Sequence, residues 1–208
     1  MGGLLVLALI AGYVWGAAKL FKRVGPYWAK ALVVIAAILI PTADAVYGRI
    51  KLKQMCEAEG GLHIYRVVEG VEGFDYPSMT PIDEWIKKYG YHFIEGEALG
   101  GKRSRIRLQP DGKIVREVGV IPIAKYAYEV DKGDVRDTFL RIESRVVEKG
   151  SSEILARYVN IGYSGGWFER FVNGLYAATG NAGSCGPTVY PSELITKTLK
   201  PIKQEQTQ

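Results

Sequence analysis

The 208 residues carry 27 Lys/Arg against 22 Asp/Glu, a formal charge of +5, with 48% apolar residues and a mean hydropathy of 0.00. That length suits one modest domain with an anchor rather than two large domains. The basic balance does not point to nucleic acid: four of the Lys/Arg lie within residues 1–45, and the 23 basic and 21 acidic residues beyond nearly cancel, leaving no basic stripe along which phosphates would bind.

Two charge-free runs open the chain, GGLLVLALIAGYVWGAA (2–18) and ALVVIAAILIPTA (31–43). The first reaches about 20 residues if Lys19 snorkels, enough for a ~30 Å hydrocarbon core. The second reaches 17 residues when it starts at Tyr27 and Lys30 snorkels, near the short limit for a span. Tyr13, Trp15, Tyr27 and Trp28 lie toward the basic side, where interfacial aromatic belts form. The runs read as a two-helix transmembrane hairpin over residues 1–45, turning near Val24-Gly25-Pro26. The alternative is a pair of buried core helices. Gly12 and Gly16 stand at G-x-x-x-G spacing, which lets a helix approach the 31–40 segment or a second copy closely.

Sidedness follows from charge. Lys19, Lys22, Arg23 and Lys30 sit at the turn, and residues 1–18 hold no Lys or Arg. The positive-inside rule therefore puts the turn in the cytoplasm and both ends outside. Residues 19–45 also have a signal-peptide layout: a basic start, the apolar Ala31–Ile40, then Pro41 and Ala43-Asp44-Ala45, an A-x-A-like site. Arg49, Lys51 and Lys53 argue the other way. The expectation is a membrane-anchored protein whose 46–208 domain is extracytoplasmic.

Beyond the anchor, Pro41 should interrupt the second helix, with Thr42 or Asp44 capping a new one. That helix, 44–59, places Val46, Ile50, Leu52 and Met55 at near-helical spacing, and Gly60-Gly61 end it. LHIYRVV (62–68) reads as a strand and EGVEGFDYPSMTP (69–81) as a loop. PIDEWIKKY forms a short helix with Pro first, acids early and lysines late. Period-two strands follow at 91–98, at SRIRLQ and KIVREVGVI around Pro110-Asp111-Gly112, and at 123–130. TFLRIESRVVEK and EILARYVNIGY flank Gly150-Ser151-Ser152 as a hairpin. In its first arm Leu140, Ile142 and Val146 share one face and Arg141, Glu143 and Arg145 the other, so one face should be buried and one wet. PSELITKTLK reads as a terminal helix. The fold class is α+β: the hairpin, a juxtamembrane helix, then about six mainly antiparallel strands with short helices.

Little in this pattern carries chemistry. His63 and His92 are the only histidines, too few for convergent metal ligands, and nothing orients a Cys56–His63 pair as nucleophile and base. Ser164-Gly165-Gly166 is not a nucleophile elbow, Gly96, Gly100 and Gly101 make no phosphate-binding loop, and Asp83-Glu84 are first-turn helix acids. No catalytic, cofactor or metal site is expected. Trp167, Phe168, Phe171 and Tyr176 form either an aromatic partner-binding patch or a helix covering the sheet.

The segment Met55-Cys56-Glu57-Ala58-Glu59-Gly60-Gly61-Leu62-His63-Ile64-Tyr65, followed by Val68–Phe74, resembles a group of proteobacterial membrane-anchored envelope proteins of unassigned function. They share a C-x-x-x-G-G-x-x-x-Y segment after an N-terminal anchor. They also carry a Gly-Gly-Trp and a late Cys, matched by Gly165-Gly166-Trp167 and Cys185. The resemblance implies a protein of the bacterial inner membrane with its 46–208 domain in the periplasm, and carries no activity with it. The layout is also similar to that of two-helix, β-rich membrane effectors of cyclic-nucleotide antiphage systems. Two functions remain open. One is a non-catalytic envelope protein binding a protein partner, as an accessory subunit, immunity or exclusion factor would. The other is a ligand-gated effector whose β domain binds a small molecule and whose hairpin oligomerises.

Cys56 and Cys185 are the only cysteines. An even number in a domain placed outside the cytoplasm predicts a disulfide, tying the glycine-rich NAGSCGP segment back to the juxtamembrane helix.

Overall fold

The structure is a computed structural model that describes residues 2–77, 82–98, 101–109, 111–136, 138–175 and 182–202. In chain order its elements are α1 (Gly2–Arg23), α2 (Tyr27–Glu59), β1 (Gly61–Ile64), β2 (Val68–Val71), β3 (Gly73–Tyr76), α3 (Ile82–Tyr89), β4 (Phe93–Glu97), β5 (Arg103–Leu108), β6 (Ile114–Val118), β7 (Tyr126–Arg136), β8 (Phe139–Glu148), β9 (Glu153–Tyr163), α4 (Trp167–Leu175), β10 (Gly183–Ser184), α5 (Pro191–Thr198) and β11 (Leu199–Pro201). The class is mixed α+β with a large, mainly antiparallel sheet and a long apolar N-terminal helix. Two compact units share the chain: a helical one of residues 1–59, 134–141 and 161–185, and a sheet one of residues 60–133, 142–160 and 186–208.

In the helical unit α1 folds back along α2, with Tyr13 against Ala37 and the Phe21 ring near the Lys30 ammonium. The expected membrane hairpin is met in part. Among the described residues only α2 is long and apolar enough to cross a membrane. Only 11% of its apolar window is buried, with Leu32, Ile38, Leu39 and Ile40 all exposed, which is unlike a helix in a water-soluble core.

The expected break at Pro41 does not occur: α2 runs unbroken from Tyr27 to Glu59. Proline lacks the N–H that residue 41 would donate to the carbonyl of residue 37. Tyr13 Oη, on α1, donates to that Ala37 carbonyl at 2.7 Å, and Thr42 Oγ1 donates to the Ile38 carbonyl at 2.7 Å. With its orphaned acceptor satisfied, the helix continues. The buried face beyond Pro41 also differs from expectation. Val46 and Ile50 are exposed, and Ala45, Gly48 and Leu52 are the buried residues.

The sheet unit supplies most of the nine-stranded sheet, ordered β1-β9-β8-β7-β3-β4-β5-β6, with β10 pairing with β9 off this path. β3 and β4 are parallel, joined through α3, while β4–β5, β5–β6 and β1–β9 are antiparallel. β2 and β3 replace the loop expected over 69–81. Glycines conceal them in the sequence, yet Phe74 is 1% exposed and enters the core with Ile86, Tyr91, Ile94, Ile106, Leu155, Leu194 and Ile195. Burying such side chains supplies about 1.5–3 kcal/mol each. The terminal helix appears as α5, with Leu194 and Ile195 buried. β8 lacks the clean wet face expected: Leu140 is exposed and Glu143 buried, the latter in an ion pair with Arg157, 3.0 Å from Oε1 to Nε.

Candidate functional site

The helical unit is built around one face of α2. Ala45, Gly48 and Leu52 recur at near-helical spacing, and each meets a glycine or tyrosine of the 163–183 stretch. A Cβ at Gly48 would collide with the Tyr163 ring, one at Gly166 would press on Ala45 at 2.9 Å, and one at Gly183 would touch Leu52 at 3.1 Å. Gly165 has φ of +97°, a conformation that glycine adopts at little cost. The Gly165-Gly166-Trp167 motif is thus a close-approach turn against α2.

Asp44 ties this turn down. Its Oδ2 accepts the Trp167 backbone N–H at 2.5 Å, so a carboxylate on α2 caps the N-terminus of α4, where helix N–H groups and dipole favour a negative charge. It was expected to cap a new helix of its own. Glu169 adds an ion pair with Arg49 and accepts the Gly166 N–H at 3.1 Å. Tyr163 Oη donates to the Asp44 carbonyl at 3.3 Å; burial, then the nearby Asp44 and Glu169 charges, raise its pKa. Below these contacts, Cys56 and Cys185 form the expected disulfide, across a sequence separation of 129.

Gly12 and Gly16 line an apolar groove of about 540 Å³ between α1 and α2, with Leu20, Leu32, Ala36 and Ile40. A Cβ at either glycine would meet nothing within 4 Å, so α2 does not require their small size. Of the aromatic candidates, Trp167 and Phe171 are 48% and 38% exposed, and Phe168 packs edge-on against Trp167 at 5.7 Å. Tyr176 lies outside the described residues. α4 packs on α1 and α2, so the reading of it as a sheet-covering helix gives way to one exposed aromatic face.

The sheet unit holds a feature the sequence reading did not single out. Glu95 on β4 is 1% exposed. Its Oε1 accepts Arg105 Nε at 2.8 Å and Nη2 at 2.5 Å. The carboxylate also accepts the N–H groups of Ile123, at 3.0 and 3.1 Å, and of Ala124 at 3.0 Å. Arg105 Nη2 in turn donates to the Ile121 carbonyl at 2.7 Å, and the guanidinium lies 5.7 Å from the Phe93 ring centre. Burial alone would raise the Glu95 pKa; the two backbone donors and the Arg105 guanidinium outweigh it and hold the carboxyl below the usual glutamate value.

This clamp grips the backbone of the segment after β6 from inside, while its side chains face out. Ile121 is 82% exposed, Val118 58% and Ile123 54%. β6 ends the strand order of the sheet, leaving one edge with unpaired backbone groups. Arg103, Arg105 and Arg107 alternate along β5, and nothing in that alternation marks Arg105 as the buried one. Ile121 and Ile123 read in the sequence as the end of one period-two strand and the start of the next, whereas β6 stops at Val118 and β7 begins at Tyr126, leaving Ile121-Pro122-Ile123 between them.

The remaining polar candidates stay apart. His63 and His92 are exposed, His63 stacking on Tyr65 with ring centres 6.5 Å apart. Cys56, held in the disulfide, offers no thiolate to a histidine. Ser164 Oγ donates to the Thr138 carbonyl at 3.1 Å. Asp83 pairs with Arg116 at 3.2 Å. Among the described residues no three His, Cys, Asp or Glu side chains converge as metal ligands. No protein-family model, curated protein or solved structure matches the chain.

Proposed function

We propose that the protein is a membrane-anchored, non-catalytic envelope protein whose extracytoplasmic domain docks a protein partner at the β6 edge. The observation that carries this reading is the Glu95–Arg105 clamp. It commits a buried ion pair and three backbone hydrogen bonds to fixing a segment whose outward side chains, Ile121 and Ile123, are apolar. Single exposed apolar residues are ordinary; here Ile121 and Ile123 are presented together by a segment fixed over β5 and β4 by Arg105 and Glu95, and β6, which precedes it in the chain, ends the strand order and offers main-chain groups for strand addition. The partner fitting this chemistry presents an extended segment with apolar side chains toward Val118, Ile121 and Ile123.

The anchoring half of the proposal takes α2 as a membrane span, with α1 as the second. The basic turn of Lys19, Lys22, Arg23 and Lys30 supports a cytoplasmic loop. The Cys56–Cys185 disulfide supports an oxidising compartment for the domain.

The test places a photo-crosslinking residue at Ile121 in cells, with exposed Glu69 on β2 as the control position. One discrete heterologous adduct is expected at Ile121, absent at Glu69, and lost when Ile123→Asp is added without loss of expression. Absence of an adduct at Ile121, or one unaffected by Ile123→Asp, overturns the docking edge. A self-adduct replaces the foreign partner with a second copy of the chain.

A further inference from the structure

We infer that α4 is a membrane-surface helix, with Trp167 and Phe171 entering the interfacial zone of the bilayer that α2 crosses. This rests on the reading of α2 as a span and is independent of the β6 edge. The uncharged run of α2 ends at Ala43, and Asp44 begins its polar part. α4 starts at that boundary: Trp167 N–H meets the Asp44 carboxylate, and Trp167 Nε1 donates to the Ile40 carbonyl at 3.4 Å.

The rotation of α4 about its own axis is fixed as well. Glu169 pairs with Arg49, which lies five residues beyond Asp44 on the side away from the apolar run. At about 100° per residue, Trp167 and Phe171 each stand about 200° from Glu169, on the opposite face and one turn apart. The acidic face of α4 is therefore tethered toward the polar half of α2, and the aromatic face is aimed back at the apolar half. Trp167 reaching Ile40 with its indole N–H while remaining half-exposed fits the interfacial preference of tryptophan, an apolar ring with one polar atom. A short amphipathic helix held parallel to the membrane surface is how such faces are covered by lipid. The aromatic patch that reads in the sequence as a protein-binding surface is on this geometry a lipid-binding one.

The test compares the full-length protein with Trp167→Phe, reconstituted in phosphatidylcholine vesicles brominated either near the headgroup end of the chains or near their termini. The fluorescence missing from the variant reports Trp167. That contribution is expected to fall in shallow-brominated vesicles and to change little in deep-brominated ones. Phe171→Trp, placed in the Trp167→Phe background, should repeat the pattern. If the Trp15 and Trp28 emission is quenched while the residue-167 and residue-171 signals match plain lipid, α4 faces water and the inference fails alone. If no tryptophan is quenched, the span fails with it.

Discussion

The helical and sheet units solve the same problem with opposite inventories. In the sheet unit the apolar side chains of Phe74, Ile94, Ile106 and Leu155 are inside, and one buried ion pair is set among them. In the helical unit the apolar side chains of Leu32, Ile38, Leu39 and Ile40 are outside. There the elements are joined by a tyrosine on a proline-orphaned carbonyl, a carboxylate capping a neighbouring helix, glycines at close approach and a disulfide. The hydrophobic effect acts only where water is the alternative solvent. Between helices surrounded by lipid it vanishes, leaving hydrogen bonds and close packing as the cohesive forces. On the proposed membrane placement, lipid covers the apolar exterior of α2 up to Ala43 and Tyr13 serves that part, while Asp44, Gly48 and Cys56 join the elements beyond it.

Removing the disulfide should have the largest effect. Closing a loop of 129 residues stabilises by on the order of 5 kcal/mol in the chain-entropy model, an upper bound. Cys185→Ser should open residues 182–185 to protease and lower the melting temperature markedly. An unchanged protease map would mean that the Gly48–Tyr163 and Gly166–Ala45 approaches hold the unit unaided.

Next in size is the clamp. Glu95→Ala leaves the buried Arg105 guanidinium with only the half-exposed Glu117, 3.7 Å from Nη1, as counter-charge and strips the Ile123 and Ala124 N–H groups of their acceptor, a loss of about 3 kcal/mol, measurable by urea unfolding. Adding Arg105→Leu should recover part of it; no recovery would mean that the Ile123 and Ala124 N–H bonds, rather than the charge pair, carry the stability. Because the folded state lowers the Glu95 pKa, the stabilisation is fully present above the usual glutamate range and is lost as pH falls through the lowered value. The acid limb of native stability should flatten in Glu95→Gln.

Smaller still is Tyr13→Phe, which strands the Ala37 carbonyl that Pro41 cannot serve. With α2 read as a span, no water reaches the stranded acceptor and a loss of about 1–3 kcal/mol is expected, read as a lower melting temperature in micelles and faster amide exchange around Pro41. Pro41→Ala in the same background should restore it, since an alanine N–H resumes the helical bond.

Much of this was legible beforehand where local chemistry decides. α3 follows from proline first and charges ordered along the dipole, and its glycine stop shows as Gly90 at φ of +77°. The β8–β9 hairpin and α5 follow from alternation and a proline start. What was not legible depends on partners distant in sequence. Pro41 reads as a break because the hydroxyl that rescues it lies on another helix. β2 and β3 read as loop because their glycines pack through backbone. Asp44 reads as a cap for its own helix and serves α4, 123 residues away. The burial of Arg105 goes unmarked because nothing local reveals that Glu95 faces it. The disulfide was foreseen from compartment and cysteine number, and the candidate docking edge was missed because exposure cannot be read from an apolar triplet.

On the proposed placement the domain beyond α2 works outside the cytoplasm, and reporter fusions read that sidedness. A phosphatase that is active only outside the cytoplasm, fused after Gln208, should be active in cells, while a reporter that matures only in the cytoplasm stays dark at the same position. A dark phosphatase with a bright cytoplasmic reporter would contradict the account and favour the ligand-gated effector.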